Sequence, residues 1–236
     1  ARRSGVGAAG AVRAPAKLTL SLRITGVRAD GYHELDAEMV SVDLADELTF
    51  TEGDGLEIVG ADDIAADDSN LVRRALAAAG RCAFVRLVKR IPVGAGLGGG
   101  STDAAAVLRW AGCHDVEVAA SLGADVPFCV AGGRARVRGI GELVEPLPFE
   151  ERVFTLLTPP LKCSTPAVYR AWDAMGGPTS DGPNDLEPAA LAVEPELARW
   201  RDQLGEATGS TPMLAGSGST WFVDGDHPHV AGAVVV

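Results

Sequence analysis

Residues 17–24 alternate in character: Leu18, Leu20, Leu22 and Ile24 fall on one side, and Lys17, Thr19, Ser21 and Arg23 on the other. A hydrophobic period of two is that of a strand with one buried face, so the segment predicts a half-buried strand. Asp30-Gly31 supplies a turn signal, and residues 39–44, 47–52 and 56–59 predict further short strands divided by Asp and Gly turns. This first part predicts an antiparallel meander.

The pattern then changes. Ser69 is placed to cap a helix through Leu71, Leu76 and the following alanines, which Gly80 ends. Residues 82–91 form a β-type run (Phe84, Val85, Leu87, Val88, Ile91) stopped by Pro92. After a glycine-rich loop, Ser101-Thr102-Asp103 predicts the opening of a second helix over 104–110. Asp125-Val126-Pro127 heads another apolar segment, and residues 134–140 and 142–144 predict a hairpin. Pro146-Leu147-Pro148 marks a junction, followed by an apolar strand at 153–157 and a helix with Thr165 as N-cap and Pro166 at its first position. Short helices near Asp185 and Pro195, a strand at 221–223 and an apolar end complete the chain. Strands and helices mix in both halves without an internal repeat. This predicts an α+β (mixed α/β) fold of two subdomains, 1–150 and 151–236.

Composition narrows the functions. With 236 residues, 47% hydrophobic, the chain can bury a sizeable core, and disorder is excluded as its main state. A net charge of −11 argues against a protein that coats nucleic acid or an anionic membrane, since no excess of Lys and Arg exists to displace counterions. The acidity is uneven: the first 28 residues carry only basic charges, whereas 30–68 hold fourteen carboxylates and no Lys or Arg. That stretch reads as a solvated sheet face with its turns. Cys82, Cys113, Cys129 and Cys163 lie far apart without zinc-ligand spacing, which favours buried free thiols in a reducing compartment. His227-Pro228-His229 has no third metal ligand nearby and reads as solvent-exposed. No run of about 18 apolar residues exists to cross a bilayer. The start, Ala1-Arg2-Arg3-Ser4-Gly5, lacks an apolar core after it and reads as a loose tail of a cytoplasmic protein.

The chemistry concentrates in Pro92-Val93-Gly94-Ala95-Gly96-Leu97-Gly98-Gly99-Gly100-Ser101-Thr102. Five glycines within seven residues let backbone approach a ligand without Cβ obstruction, and the helix start beyond them offers free N–H groups and the positive dipole end. This predicts a phosphate cradle. Gly94-x-Gly96-x-x-Gly99 also satisfies the dinucleotide fingerprint, but the second parallel strand ending in an acid is missing; only the short, polar His114-Asp115-Val116-Glu117-Val118 lies there. The same loop is a P-loop in which glycine replaces the lysine, so a phosphate's cationic partner must come from elsewhere. Lys17, on the same strand face as Thr19, is a candidate, and Asp125 is a candidate base. Their bland readings are a solvated edge charge and a turn cap.

Five blocks carry a resemblance: residues 15–20 (PAKLTL), 29–35 (ADGYHEL), 92–106, 122–128 (LGADVPF) and 214–219 (LAGSGS) occur in the order found in the GHMP superfamily of small-molecule kinases. The second and fourth blocks resemble the branch that acts on a cytidine-diphosphate-linked methylerythritol. The resemblance implies an N-terminal domain like ribosomal protein S5 and a smaller ferredoxin-like C-terminal domain. It also implies ATP with Mg²⁺, a small-molecule substrate, no nucleic-acid or membrane partner, and a monomer or homodimer. Matched by position, Asp125 is similar to the base that takes the proton of the substrate's 2-hydroxyl, and Lys17 to the group that orients it. Residues 92–102 match the triphosphate loop, Asn70 and Lys89 the adenosine pocket, Tyr32 and Tyr169 the two faces that sandwich the cytosine, and His33 a hydrogen bond to its edge. Thr165 matches a polar substrate contact, and residues 216–219 the third motif. Thr19 departs from the usual Asn, and the chain is shorter than most relatives, with little between Trp110 and Leu122 and almost nothing after the third motif. Rivals to this reading are a kinase for mevalonate, homoserine or a sugar, a nicotinamide-dependent oxidoreductase using 94–99, and a non-catalytic nucleotide-binding protein.

Overall fold

The computed structural model describes residues 10–236; the expected tail at 1–5 lies outside them. The chain runs β1 (Val12–Val27), β2 (His33–Thr51), β3 (Gly55–Val59), α1 (Leu71–Ala78), β4 (Phe84–Val88), α2 (Gly99–Ala111), α3 (Val116–Leu122), α4 (Val126–Ala131), β5 (Arg134–Gly139) and β6 (Leu143–Pro146). It continues through β7 (Phe154–Leu157), α5 (Thr165–Ala174), α6 (Glu187–Val193), α7 (Leu197–Thr208), β8 (Met213–Leu214), β9 (Trp221–Asp224) and β10 (Ala233–Val235). The mixed α/β class follows directly.

β2 organises the first, six-stranded sheet. One edge of this 19-residue strand takes β1 antiparallel along most of its length. The other edge is divided, with β5 pairing at 35–40 and β4 at 47–51. The two short strands expected at 39–44 and 47–52 are therefore one. Asp46, which read as a turn residue, sits in the gap between β5 and β4, where its carboxylate accepts the N–H groups of Arg90 and Ile91 at 2.6 and 2.8 Å. A carboxylate here replaces the missing ladder partners. The expected meander fails at β3, which pairs parallel with β4 and not with β2.

β1 departs from a half-buried strand. Ala14, Ala16, Leu18 and Leu20 are buried, and so are Lys17 and Thr19 opposite them. Ala16, Leu18 and Leu20 pack with Phe154, Leu156, Ala215 and Phe222, so the four-stranded antiparallel sheet β10-β7-β9-β8 shares a core with the first sheet. Each such Leu, Val or Phe contributes about 1.5–3 kcal/mol by burial.

α2 lies deep against the first sheet because Ala104, Ala105 and Ala106 leave room for close approach; all three are fully buried. Phe50 of β2 stacks on Trp110 with ring centroids 4.2 Å apart, fixing the far end of the helix. The helix begins at Gly99, inside the glycine run, and not at Ser101. α3, absent from the sequence reading, forms between Trp110 and Leu122 because Asp115 caps it through the N–H groups of Glu117 and Val118. α1 is capped by Asn70 and not by Ser69, with Oδ1 accepting from Val72 N. α5 starts at Thr165, so Ser164 takes the N-cap position.

The acidic stretch is more than a solvated face. Asp36, Glu38 and Glu57 pair with Arg136, Arg134 and Arg86 on neighbouring strands, and Glu47 pairs with Arg90 just beyond β4. Such exposed pairs are worth about 0–1 kcal/mol each. Of the free cysteines, Cys129 and Cys163 are buried, whereas Cys82 is exposed and Cys113 half-buried. Among the described residues no helix is long and apolar enough to cross a membrane.

Candidate active site

The glycine loop is held from three sides. The register of β1 shifts between Pro15 and Lys17, which frees the Lys17 N–H to donate to Leu97 O at 3.0 Å. The Thr102 hydroxyl donates to Pro15 O at 2.7 Å, and Thr220 N donates to Ala95 O at 3.2 Å. Ala95 and Leu97 point inward as anchors, being 2% and 1% exposed. Two glycines are obligatory. At Gly96, with φ +79°, a Cβ would lie 2.3 Å from Ala215 O. At Gly98, with φ +70°, it would lie 2.7 Å from Lys17 Cγ.

Two cavities meet at this loop. The larger, of about 760 Å³, is lined by Lys17, Thr19, Tyr32, His33, Gly94 to Ser101, Asp125, Thr165, Tyr169 and Ser217. The smaller, of about 370 Å³, is lined by Asn70, Lys89, Pro92, Val93, Gly94, Gly99, Gly100 and Asp103. Pro92, Gly94, Gly99 and Gly100 border both. The first turn of α2 therefore aims its unpaired N–H groups at the seam between them, where an anion is favoured.

Inside the larger cavity, Lys17 Nζ lies 3.3 Å from Asp125 Oδ2 and donates to Thr19 Oγ1 at 3.2 Å. Asp125 stands at the N-cap position of α4 but makes no side-chain capping bond, so its carboxylate remains available to the cavity. Thr19 thus supports Lys17 from below in place of the expected Asn. The Thr165 and Ser217 hydroxyls share a hydrogen bond at 2.8 Å. Opposite, His33 lies tilted on Tyr169 at a centroid distance of 4.7 Å, while Tyr32 is 59% exposed. Burial, and secondarily the charge of Asp125, pushes the Tyr169 phenol well above its ordinary value, so it stays protonated.

Asn70 and Lys89 line the smaller cavity, while their polar groups, like the Thr102 hydroxyl, are already hydrogen-bonded within the protein. The Lys89 ammonium is buried between Asp46 and Asp103, the latter at 2.8 Å, so it meets the cavity from within an ion-pair cluster. Asn70 spends Oδ1 on its cap and donates Nδ2 to Ala65 O at 2.8 Å, so it shapes the cavity wall. Thr102 turns away from both cavities to Pro15, leaving Ser101 as the hydroxyl of the loop that lines the larger one.

Sequence reasoning missed several supports. Asn184, buried, donates to Leu214 O and Gly216 O at 2.9 and 2.7 Å and so holds the turn at 214–219 against the loop. Asp185 accepts from Arg23 Nη1 at 2.7 Å and Ile24 N at 2.9 Å, tying that segment to β1. Asp173 pairs with His33, and its i+4 relation to Tyr169 along α5 was a signal that could have found it. The oxidoreductase reading fails on topology: β4, before the loop, and β5, the strand that follows α2, α3 and α4, each pair antiparallel with β2 and not with each other, so no adjacent parallel strands flank the loop.

A glycine loop at a helix N-terminus, bordered by a lysine–aspartate pair, on this two-sheet fold defines a GHMP-type small-molecule kinase. The family described as GHMP kinases N terminal domain matches residues 70–133. A solved mevalonate kinase from L. major shares the fold, with TM-score 0.61 at 12% identity, covering 98% of this chain and 97% of that one. More specifically, the chain is 42% identical to a 4-diphosphocytidyl-2-C-methyl-D-erythritol kinase of Paracoccus denitrificans (strain Pd 1222) over 89% of this chain and 84% of the relative. A crystal structure of 4-(cytidine 5'-diphospho)-2C-methyl-D-erythritol kinase superposes with TM-score 0.74 at 35% identity, covering 94% and 92% of the two chains. The chain belongs to the 4-diphosphocytidyl-2-C-methyl-D-erythritol kinase family.

Proposed function

We propose that this chain transfers the γ-phosphoryl group of ATP to the 2-hydroxyl of 4-diphosphocytidyl-2-C-methyl-D-erythritol, giving the 2-phosphate and ADP. The observation that carries the reading is the Lys17–Asp125 pair, which lines the same cavity as the glycine loop and the His33–Tyr169 cluster. That cavity has room for a base at one end and a reacting hydroxyl at the other.

In this reading Asp125 accepts the hydroxyl proton as the oxygen forms its bond to the γ-phosphorus and the bond from that phosphorus to the β,γ-bridging oxygen breaks, releasing ADP. Lys17, held by Thr19, orients the hydroxyl and offsets the charge gathering beside Asp125. The N–H groups at the start of α2 cradle the phosphates. Tyr32 and Tyr169 flank the cytosine, His33 reads its edge, and Thr165 with Ser217 contacts the polar linker. The smaller cavity takes the adenosine, with Asn70 and Lys89 shaping its wall.

The donor set fits Mg²⁺ that arrives with ATP. Ser101 and Asp125 offer hard oxygens in the larger cavity, and no protein cluster able to hold a metal alone exists among the described residues. Mg²⁺ is ordinarily held by one or two such groups together with phosphates. When bound it supplies charge neutralisation on the phosphate oxygens. A cytoplasmic location, where ATP is at hand, accords with this reading.

Phosphorus NMR of a reaction containing ATP, Mg²⁺ and the cytidylated substrate tests the assignment. A new phosphomonoester resonance on a product with its diphosphate intact is the expected result; its absence at saturating ATP and substrate overturns the reading.

A further inference from the structure

His33 is held by more than its stacking on Tyr169. Its Nε2 lies 2.8 Å from Asp173 Oδ1. The edge of Trp172 meets the imidazole at 5.5 Å and 81°, and the indole is itself fixed by Nε1 donating to Pro178 O at 2.9 Å. The His33 side chain is 9% exposed and that of Asp173 47%. His33, Tyr169 and Asp173 all line the larger cavity. The ring thus has a fixed plane and a fixed polar neighbour.

An ionised carboxylate only accepts hydrogen bonds, so the proton must sit on Nε2. In a neutral imidazole the other nitrogen, Nδ1, then carries a lone pair and can only accept. We propose that Asp173 is the positioning residue that makes His33 an acceptor towards the substrate's base, and thereby sets a preference for cytosine over uracil. The inference rests on the kinase reading above and deepens it. Cytosine presents a 4-amino donor, whereas uracil presents a 4-oxo group whose lone pairs would face that of Nδ1. A mismatch of this kind leaves two buried acceptors opposed, which is the situation in which hydrogen-bonding sites discriminate most strongly. With the opposite tautomer His33 would donate, and the preference would fall or reverse.

Two readouts separate this from a plain surface ion pair. Nitrogen-15 NMR of labelled protein reports the tautomer of His33 without turnover. Kinetics with the cytidine-diphosphate-linked substrate and its uridine-linked counterpart report the preference. In the wild type the neutral Nε2–H tautomer is expected, with kcat/KM favouring the cytidine compound by at least about 100-fold. Asp173→Asn can donate or accept, so both tautomers should be populated and the ratio should fall at least about tenfold, chiefly through KM for the cytidine compound. Asp173→Glu, which still only accepts, should keep most of the ratio. A wild-type His33 found as the Nδ1–H tautomer or doubly protonated, or an unchanged ratio in Asp173→Asn, overturns the inference while leaving the kinase reading intact. Phosphorylation of neither compound by the wild type overturns both.

Discussion

Lys17 Nζ and Asp125 Oδ2 stand 3.3 Å apart, brought together from β1 and the start of α4. The lysine is buried at 7% side-chain exposure, while the aspartate keeps 32%. The pair therefore has one fixed member and one that reaches into the cavity. This asymmetry suits a base that must meet a hydroxyl and a cation that must stay in place.

Asp125→Asn preserves size and removes the ability to take a proton. The variant is expected to bind ATP normally by calorimetry and to lose at least about 100-fold in kcat. Near-normal turnover would remove Asp125 from the role of base.

Gly96→Ala sets a Cβ 2.3 Å from Ala215 O in a left-handed backbone. A stability loss of at least about 2 kcal/mol in urea denaturation is expected, together with weakened ATP binding. Gly80→Ala, at φ +61° with open space around the new methyl, is the control for backbone strain alone and should cost about 1 kcal/mol. Equal effects at both positions would show that the loop's packing against 215–218 does not matter.

Asp103 supplies a pH signature. Burial first, and the charge of Asp46 second, push its carboxyl up to about 7 against the opposing pull of Lys89. Its Oδ1 is buried without a hydrogen-bond partner among the described residues. The folded protein thus keeps a proton that the unfolded chain releases near 3.8. Between these values folding takes up a proton, so this group's contribution to stability is greatest at low pH and declines as pH rises, by up to about 1.4 kcal/mol per unit. Asp103→Asn lacks this dependence. Its stability relative to wild type should rise between pH 5 and pH 8 in urea denaturation; a pH-independent difference would contradict the assignment.

How far the sequence discloses this arrangement depends on whether a residue's partner is local. The glycine run announces a cradle because backbone freedom is an intrinsic property, and the lysine missing from that run points to a cation elsewhere. Lys17 looked like an edge charge because the strand pattern cannot show that the second sheet covers β1. Asp46 was hidden among fourteen carboxylates in 30–68, and its burial against Lys89 depends on a long-range approach. The same blindness split β2 in two at Ala45-Asp46. Gly99 and Gly100 are poor helix formers, so propensity alone opens α2 only at Ser101-Thr102-Asp103; the loop's ties to Pro15, Lys17 and Thr220 override that propensity. Asn184 carried no local signal, since its partners at 214 and 216 are known only once the chain has folded.

The most direct test of the kinase assignment is a coupled ADP-release assay with ATP and Mg²⁺, comparing 4-diphosphocytidyl-2-C-methyl-D-erythritol with mevalonate and homoserine. Saturable ADP release with the cytidylated substrate, and a kcat/KM for the other two lower by at least about 1000-fold, is the expected result. Comparable or greater turnover of mevalonate or homoserine, or no release with any of the three, would contradict it.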